Sequence, residues 1–344
     1  MGKFMISIKN IAEKCGVSIA TVSKALNNHS DISTNTKNKI KEVAKELGYL
    51  PNSQAKALKT NVTYNIGIIF VDNSGNGLVH NYFSSVLNSL KKEVEKNGYD
   101  LMFISNNLVG NSPMSFYEHC KYRNVDGVVI ACVDFYDSEI IKLLNSDIPA
   151  VTIDFFSMKN YSVVSDNKKG MEEIVQFVHE KGHRKIAYIY GDSSQVTTVR
   201  LNAFLETMNK LEIPVEEDYM KQGKYYDPIL VEKIVLDMMS LYEPPTCIIA
   251  PDDFAAFCIS KVLNEAGIKI PDDVSLVGYD GFFLSQASRP KLTTVRQDAN
   301  LIGLSAAKLL LRLVKKESVP LSSRSMVIKG EFLEGETVKD LLNL

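Results

Sequence analysis

The sequence predicts two fold classes in tandem: a small all-α helix-turn-helix domain, then an α/β core of two doubly wound parallel-sheet lobes. Three observations predict it. Residues 6–50 carry three short apolar stripes at helical spacing, each preceded by a serine. From residue 65 the pattern changes to short β-branched runs that alternate with amphipathic helices. The alternation comes in two series, which implies two sheets with a cleft between them. At 344 residues and 45% hydrophobic, the chain is long enough for two or three compact units.

In the head, Ser7 is placed to cap a first helix with Ile8, Ile11 and Ala12 on one face. Gly16 permits a turn, and Ser18 caps a second helix that ends near Leu26, with Val22, Ala25 and Leu26 inward. Ser33 caps a third, whose stripe is Ile40, Val43, Ala44 and Leu47, and Gly48 stands at its C′ position. Pro51 then starts a short helix over 52–58, under three turns and too short to persist alone in water.

In the core, the first series of strands is IGIIFV (66–71), DLMFI (100–104), GVVIACV (127–133) and AVTID (150–154), with helices near 82–97, 115–123 and 138–145. The second series is expected to be VVSD (163–166), IAYIYG (186–191), a strand near 219–223, CIIAP (247–251) and SLVGYD (275–280). Its helices fall near 168–181, 197–211, 228–242 and 253–266. Strands apolar throughout are buried on both faces, as in parallel sheets. A helix near 298–315 and a strand near 324–329 complete the body. The expected division is 1–50 for the head, 51–64 for a hinge helix and linker, and 65–344 for the core. Within the core, one lobe takes 65–163 with 290–325 and the other 164–289 with 326–344. Asp72, Asp134, Asp154, Asp252 and Asp280 fall just beyond strand ends, where ligands sit in such sheets.

The net charge of −2 conceals an asymmetry. Residues 1–60 hold ten lysines against four acids, a net of +6; the remainder carries 29 bases and 37 acids, a net of −8. A basic head on an acidic body suits a head that meets a polyanion. The five cysteines form no CxxC pair and leave one over, which points to free thiols in a reducing cytoplasm. An apolar secretion leader, a myristoylation signal and a run of about 18 apolar residues are all lacking, so no membrane is expected as partner.

The run VSIATVSKALN (17–27), then LGYLPN (47–52) and QAKALKT (54–60), resembles the LacI/GalR family of bacterial transcriptional repressors. The resemblance continues through NIGIIFVD, DGVVI, VVSDNKKG, GHRKIAYIYG, PDDFAA, VSLVGYD and LTTVRQD, nearly the whole chain. It implies a periplasmic-binding-protein-like core and a cytoplasmic homodimer on a near-palindromic, double-stranded operator. It further implies a small effector in the interlobe cleft, a sugar or sugar phosphate. By the same resemblance Ile19, Ala20 and Lys24 match positions that face base edges, and Thr21 one that contacts base or phosphate. Ser18, Asn27 and Asn52 match phosphate-binding positions, and Ala55 and Leu58 match hinge-helix residues that enter the minor groove. Physically, Ile19 and Ala20 can meet thymine methyls and Lys24 can reach guanine O6 and N7. Position 24 is commonly Arg in the family; Lys lacks the fork and should prefer guanine less sharply. A leucine wedge at 58 would unstack one step and bend the duplex, unless it serves instead as a core or dimer contact.

In the cleft, Asp154, Arg200, Asp252 and Asp280 match polar effector-contacting positions, and Tyr225 an aromatic that stacks on the ligand. His80, Tyr82 and Phe83 stand where the family has Asn-Pro-Phe-Phe, after a longer loop. Carboxylates, one guanidinium and an aromatic platform suit hydroxyl pairs and the apolar face of a pyranose. Asp252 can equally be a helix N-cap.

No catalytic role is expected. His179 and His183 satisfy HExxH literally, but Gly182 ends the helix between them, so they cannot share the helical face a zincin requires. GxGxxG after a strand, GxxxxGK[ST] and GxSxG are absent. No cofactor and no metal are implied. Two readings compete with a sugar-responsive repressor: a regulator with a phosphoprotein corepressor, and a sugar-binding carrier that shares the two-lobed body.

Overall fold

The structure of the protein, a computed structural model, describes residues 6–50, 62–71, 77–106, 114–225 and 227–342. Its backbone groups into two units, Met1–Thr63 and Tyr64–Leu344.

The first unit holds α1 (Ile8–Cys15), α2 (Ile19–Leu26) and α3 (Thr34–Glu46). Each contributes two buried residues to a shared core: Ile11 and Ala12, Val22 and Ala25, Ile40 and Ala44. Leu26, Val43, Leu47 and Tyr49 pack around it. The Ser18 hydroxyl accepts from the Thr21 N–H at 3.1 Å, and Ser33 from Thr36 at 3.2 Å, so both expected caps form. At α1 the Asn10 side chain answers Ser7 in a capping box, accepting from the Ser7 N–H at 2.9 Å and from its hydroxyl at 2.7 Å. Gly16 and Gly48 close α1 and α3 at φ of 67° and 66°. The expected helix over 52–58, with Asn52, Ala55 and Leu58, lies outside the described residues.

The second unit carries two parallel sheets. The first has six strands: β1 (Asn65–Phe70), β2 (Asp100–Phe103), β3 (Gly127–Ala131), β4 (Ala150–Ile153), β5 (Tyr161–Ser165) and β11 (Ser325–Ile328), in the order β11-β5-β4-β3-β1-β2. Ile68 lies opposite Val129, and Val129 opposite Val151. The second has β6 (Ile186–Tyr190), β7 (Met220–Gln222), β8 (Cys247–Ile249) and β9 (Ser275–Val277), in the order β7-β6-β8-β9. A short antiparallel ribbon pairs β10 (Thr294–Arg296) with β12 (Glu331–Leu333).

Alternation along the strands divides each lobe into two cores. In the first, Ile66, Ile68 and Val129 face α4 (Asn81–Lys96) and α12 (Ala299–Val314). Ile69, Val128 and Ile130 face α5 (Phe116–Arg123) and α6 (Ser138–Leu144). In the second, Ile186 and Tyr188 face α7 (Asn167–Glu180) and α8 (Gln195–Lys210). Ala187 and Ile189 face α9 (Pro228–Met239) and α10 (Asp253–Glu265). This is the two-faced burial that doubly wound sheets require. A one-turn helix, α11 (Phe283–Ala287), precedes β10. Where α12 crosses α4, a Cβ on Gly303 would collide with the Val86 carbonyl, so only glycine admits the approach.

Two expectations need correction. The VVSD strand belongs to the first sheet as β5, paired with β4 through Val151 and Tyr161, rather than opening the second series. Residues 326–344 do not stay together in the second lobe: β11 pairs with β5 in the first sheet, and β12 pairs with β10. The error has a physical source. A strand followed by a helix reads as the start of a βα unit wherever it lies. In this chain the passage from β5 into α7 is the point where the backbone leaves one lobe for the other.

Candidate functional site

The head presents one face of α2 to solvent. Ser18, Ile19, Ala20, Lys24 and Asn27 are exposed and Thr21 is half-buried, because the opposite positions Val22 and Ala25 are spent on the core. Ile19 is 53% exposed, a large apolar side chain with no packing role in the head. Lys24 pairs with Asp31 at 2.5 Å, and the Asn27 amide donates to the Ser23 carbonyl at 2.7 Å. The Ser18 and Thr21 hydroxyls lie 2.9 Å apart.

In the second unit, a cavity of about 380 Å³ opens where the carboxyl ends of the strands from both sheets meet. The first lobe contributes His80, Tyr82 and Phe83 from the start of α4, and Asp154 after β4. The second contributes Arg200 from α8 and Tyr225 after β7, and Asp280 follows β9. Seven of the eight residues expected in the cleft therefore line one cavity. Asp252 does not. It is buried as the N-cap of α10, accepting the Ala255 N–H at 2.7 Å. A strand-end carboxylate next to a helix start can serve either purpose, and the helix claims it.

Hydrogen bonds fix these side chains in place. The Tyr82 hydroxyl donates to Asp154 at 2.6 Å, and the Ser165 N–H reaches the other Asp154 oxygen at 3.3 Å. The Gln297 amide donates to Asp280 at 2.6 Å. Arg200 is 3% exposed, donates to Asn167 at 2.7 Å and to the Pro251 carbonyl at 3.2 Å, and stacks its guanidinium 3.5 Å from the Tyr279 ring centre. Tyr225 leans over Gly191, where any Cβ would strike its ring, and its hydroxyl lies 3.0 Å from Thr197.

The carboxyls are perturbed in one direction. Burial pushes Asp154 up, with Tyr82 opposing, and pushes Asp280 well above the carboxylate range, with Arg200 opposing. Burial also raises Asp192, with Lys224 opposing. Carboxyls raised by burial, one permanent cation and tyrosine hydroxyls form a set of donors and acceptors that suits a hydroxylated ligand.

Sequence reasoning missed a second part of the wall. Phe135 and Phe155 stack at 4.2 Å with planes 5° apart, and Tyr136 meets Phe155 edge-on at 6.1 Å. Asp134, at a predicted strand end, lines the cavity with them, and so do Asp192, Ser193, Ser194, Gln195 and Gln297. The strand-end rule applied to Tyr190-Gly191-Asp192 would have found Asp192. Phe135 and Phe155 carry no such signal, since the pair assembles from two loops. Asp72 lies outside the described residues. His183 is occupied elsewhere, 2.9 Å from the Thr246 hydroxyl and 3.1 Å from the Lys339 carbonyl, and His179 sits on α7 before the helix ends.

Residues 7–52 match the description "bacterial regulatory proteins, lacI family", and residues 175–338 match the periplasmic binding protein-like domain. Over 98% of its length the chain is 28% identical to the probable HTH-type transcriptional repressor ExuR of Bacillus subtilis (strain 168), covering 99% of it. It is also 28% identical to the HTH-type transcriptional repressor PurR of Vibrio atlanticus (strain LGP32), covering 98% of this chain and 100% of that one. Among solved structures, the lac repressor dimer bound to operator and the anti-inducer ONPF superposes with a TM-score of 0.83 at 23% identity, covering 97% of this chain and 99% of that one. Among the described residues no helix is long and apolar enough to cross a membrane.

Proposed function

Because this chain belongs to the lacI family of DNA-binding bacterial transcriptional regulators, we propose that it is a sugar-responsive repressor of carbohydrate-utilisation genes. It is a regulator and not an enzyme, like its relatives. In this reading two heads of a cytoplasmic homodimer grip a near-palindromic operator. Ile19, Ala20 and Lys24 face base edges, with Thr21 beside them, while Ser18, Asn27 and Asn52 hold phosphates. Ala55 and Leu58 enter the minor groove.

The observation that carries the effector reading is one cavity lined by Asp154, Arg200 and Asp280 together with Tyr82, Phe83 and Tyr225. Polar groups that donate and accept, with flat apolar walls, are what a sugar or sugar phosphate needs. Binding there loosens or tightens the DNA grip only through different affinities for two lobe arrangements.

Purified protein would be used to enrich duplexes from a randomised pool, and the winner titrated with a panel of mono- and disaccharides and their phosphates. The reading expects a near-palindromic winner and one sugar that shifts both its affinity and the melting temperature. A pool that yields no preferred sequence would sink the DNA half. A panel that shifts nothing would sink the effector half.

A further inference from the structure

Among the described residues of the exposed α2 face, Lys24 is the one cation, and it is already engaged. Its ammonium lies 2.5 Å from Asp31, which sits in the loop before α3. That loop is ordered by several contacts on either side of Asp31. The His29 N–H donates to the Lys24 carbonyl at 3.0 Å, and Asn28 takes a left-handed φ of 59°. Lys41 of α3 donates to the Asn28 side chain at 2.6 Å. On the far side Ile32 packs into the head core and Ser33 caps α3. The hydrogen bond from Lys24 holds the Asp31 carboxyl below its ordinary range, which favours its charged form.

We propose that Asp31 is a specificity-determining residue of the DNA-reading head, one that withholds the Lys24 charge from the phosphate backbone and releases it only to the correct base pair. This rests on the reading of α2 as the groove-facing helix. Non-specific affinity comes from cations that displace counterions at phosphates. A lysine neutralised by a fixed carboxylate contributes little to that, and the carboxylate itself is repelled by the phosphates. At a matched site the balance differs. Guanine O6 and N7 can take over the Lys24 ammonium, while Asp31 can accept from a cytosine N4 amine. Asp31 therefore weakens binding to arbitrary DNA more than binding to the operator. An exposed ion pair contributes only about 0–1 kcal/mol to folding, so removing it should leave the head intact.

The test uses the full chain and its Asp31→Asn variant, with melting temperature as the control for folding. Affinity would be measured for a duplex of random sequence and for the duplex that wild type enriches from a randomised pool, each at several salt concentrations. Asp31→Asn should tighten the random duplex by about three- to tenfold and steepen its salt slope by about 0.9, the equivalent of one more phosphate contact. The enriched duplex should gain less, so the ratio between them falls. In Lys24→Met the same Asp31 substitution should lose most of its effect, because no withheld charge remains. An unchanged random-duplex affinity, an equal gain on both duplexes, or an effect that survives in Lys24→Met would overturn the assignment. If wild type enriches no sequence at all, the groove-facing reading of α2 fails first, a result separate from any outcome at Asp31.

Discussion

The side-chain amide of Gln195 hydrogen-bonds both backbone groups of Phe156: it accepts from the N–H at 2.5 Å and donates to the C=O at 3.0 Å. Gln195 opens α8 in the second lobe, and Phe156 follows β4 in the first. A side chain thus imitates a strand neighbour and straps one lobe to the other beside the cavity. A two-point strap of this kind is worth about 1 kcal/mol per hydrogen bond after exchange with water.

Gln195→Glu keeps the shape but cannot donate to the Phe156 carbonyl. The lobe arrangement in which Gln195 reaches Phe156 should lose about fivefold in population. Small-angle scattering should report a larger radius of gyration than wild type. An unchanged radius, together with unchanged ligand affinity, would show that the strap does not govern the lobe arrangement.

Arg200→Lys retains a charge but not the planar fork that reaches Asn167 and Pro251 and stacks on Tyr279. The melting shift produced by the best sugar of the panel should fall by more than half, while operator affinity stays within about twofold. Fluorescence anisotropy with labelled operator separates the two. Loss of both together would contradict a division of labour between cleft and head.

Gly303→Ala places a methyl against the Val86 carbonyl, where α12 crosses α4. The helices must separate, and overpacking of this kind costs about 1–3 kcal/mol. Urea denaturation should show a lower midpoint with an unchanged slope. Stability equal to wild type would mean that the crossing is looser than described.

Asp253 predicts a pH dependence. Burial raises its carboxyl to about 7, although Thr294 donates to it at 2.6 Å and the Phe282 N–H at 3.2 Å. The folded pKa lies above the unfolded one, so folded protein holds the extra proton. The associated stability is full below the ordinary aspartate range and is lost as pH rises toward 7. His183, lowered by burial, acts in the opposite sense over the upper part of that window. The decisive quantity is therefore a difference. Between pH 4 and 7, wild type should lose stability relative to Asp253→Asn as pH rises; parallel curves would refute the assignment.

Much of the fold could be read from period and punctuation alone. Ile66, Ile68 and Ile69 announce a strand buried on both faces, and Ser18 and Ser33 mark their helices because the missing backbone acceptors must be supplied locally. What could not be read was membership. Whether β5 joins one sheet or the other depends on pairing with β4 and β11, which no local pattern encodes. The cavity divides the same way. Arg200 and Asp280 stand out as charges at strand ends or in helix starts, whereas Phe135 against Phe155 is a tertiary encounter between two apolar loop residues. Asp252 shows the limit of the strand-end rule: it follows a strand, yet it caps α10 and does not line the cavity.

The late arrival of β11 and α12 bears on synthesis. By residue 165 the ribosome has made five of the six strands of the first sheet, yet β5 waits with a bare edge until residues 325–328 emerge. Ile302, Ala306 and Leu310 of α12, which cover the core beside α4, are equally late. At 5–20 residues per second the gap lasts roughly 8–30 s, while the strands and main helices of the second lobe emerge in between. A nascent chain halted within that interval carries an open sheet edge and an uncovered apolar face, and both invite capture by another chain. The lobe begun first waits longest for its last strand.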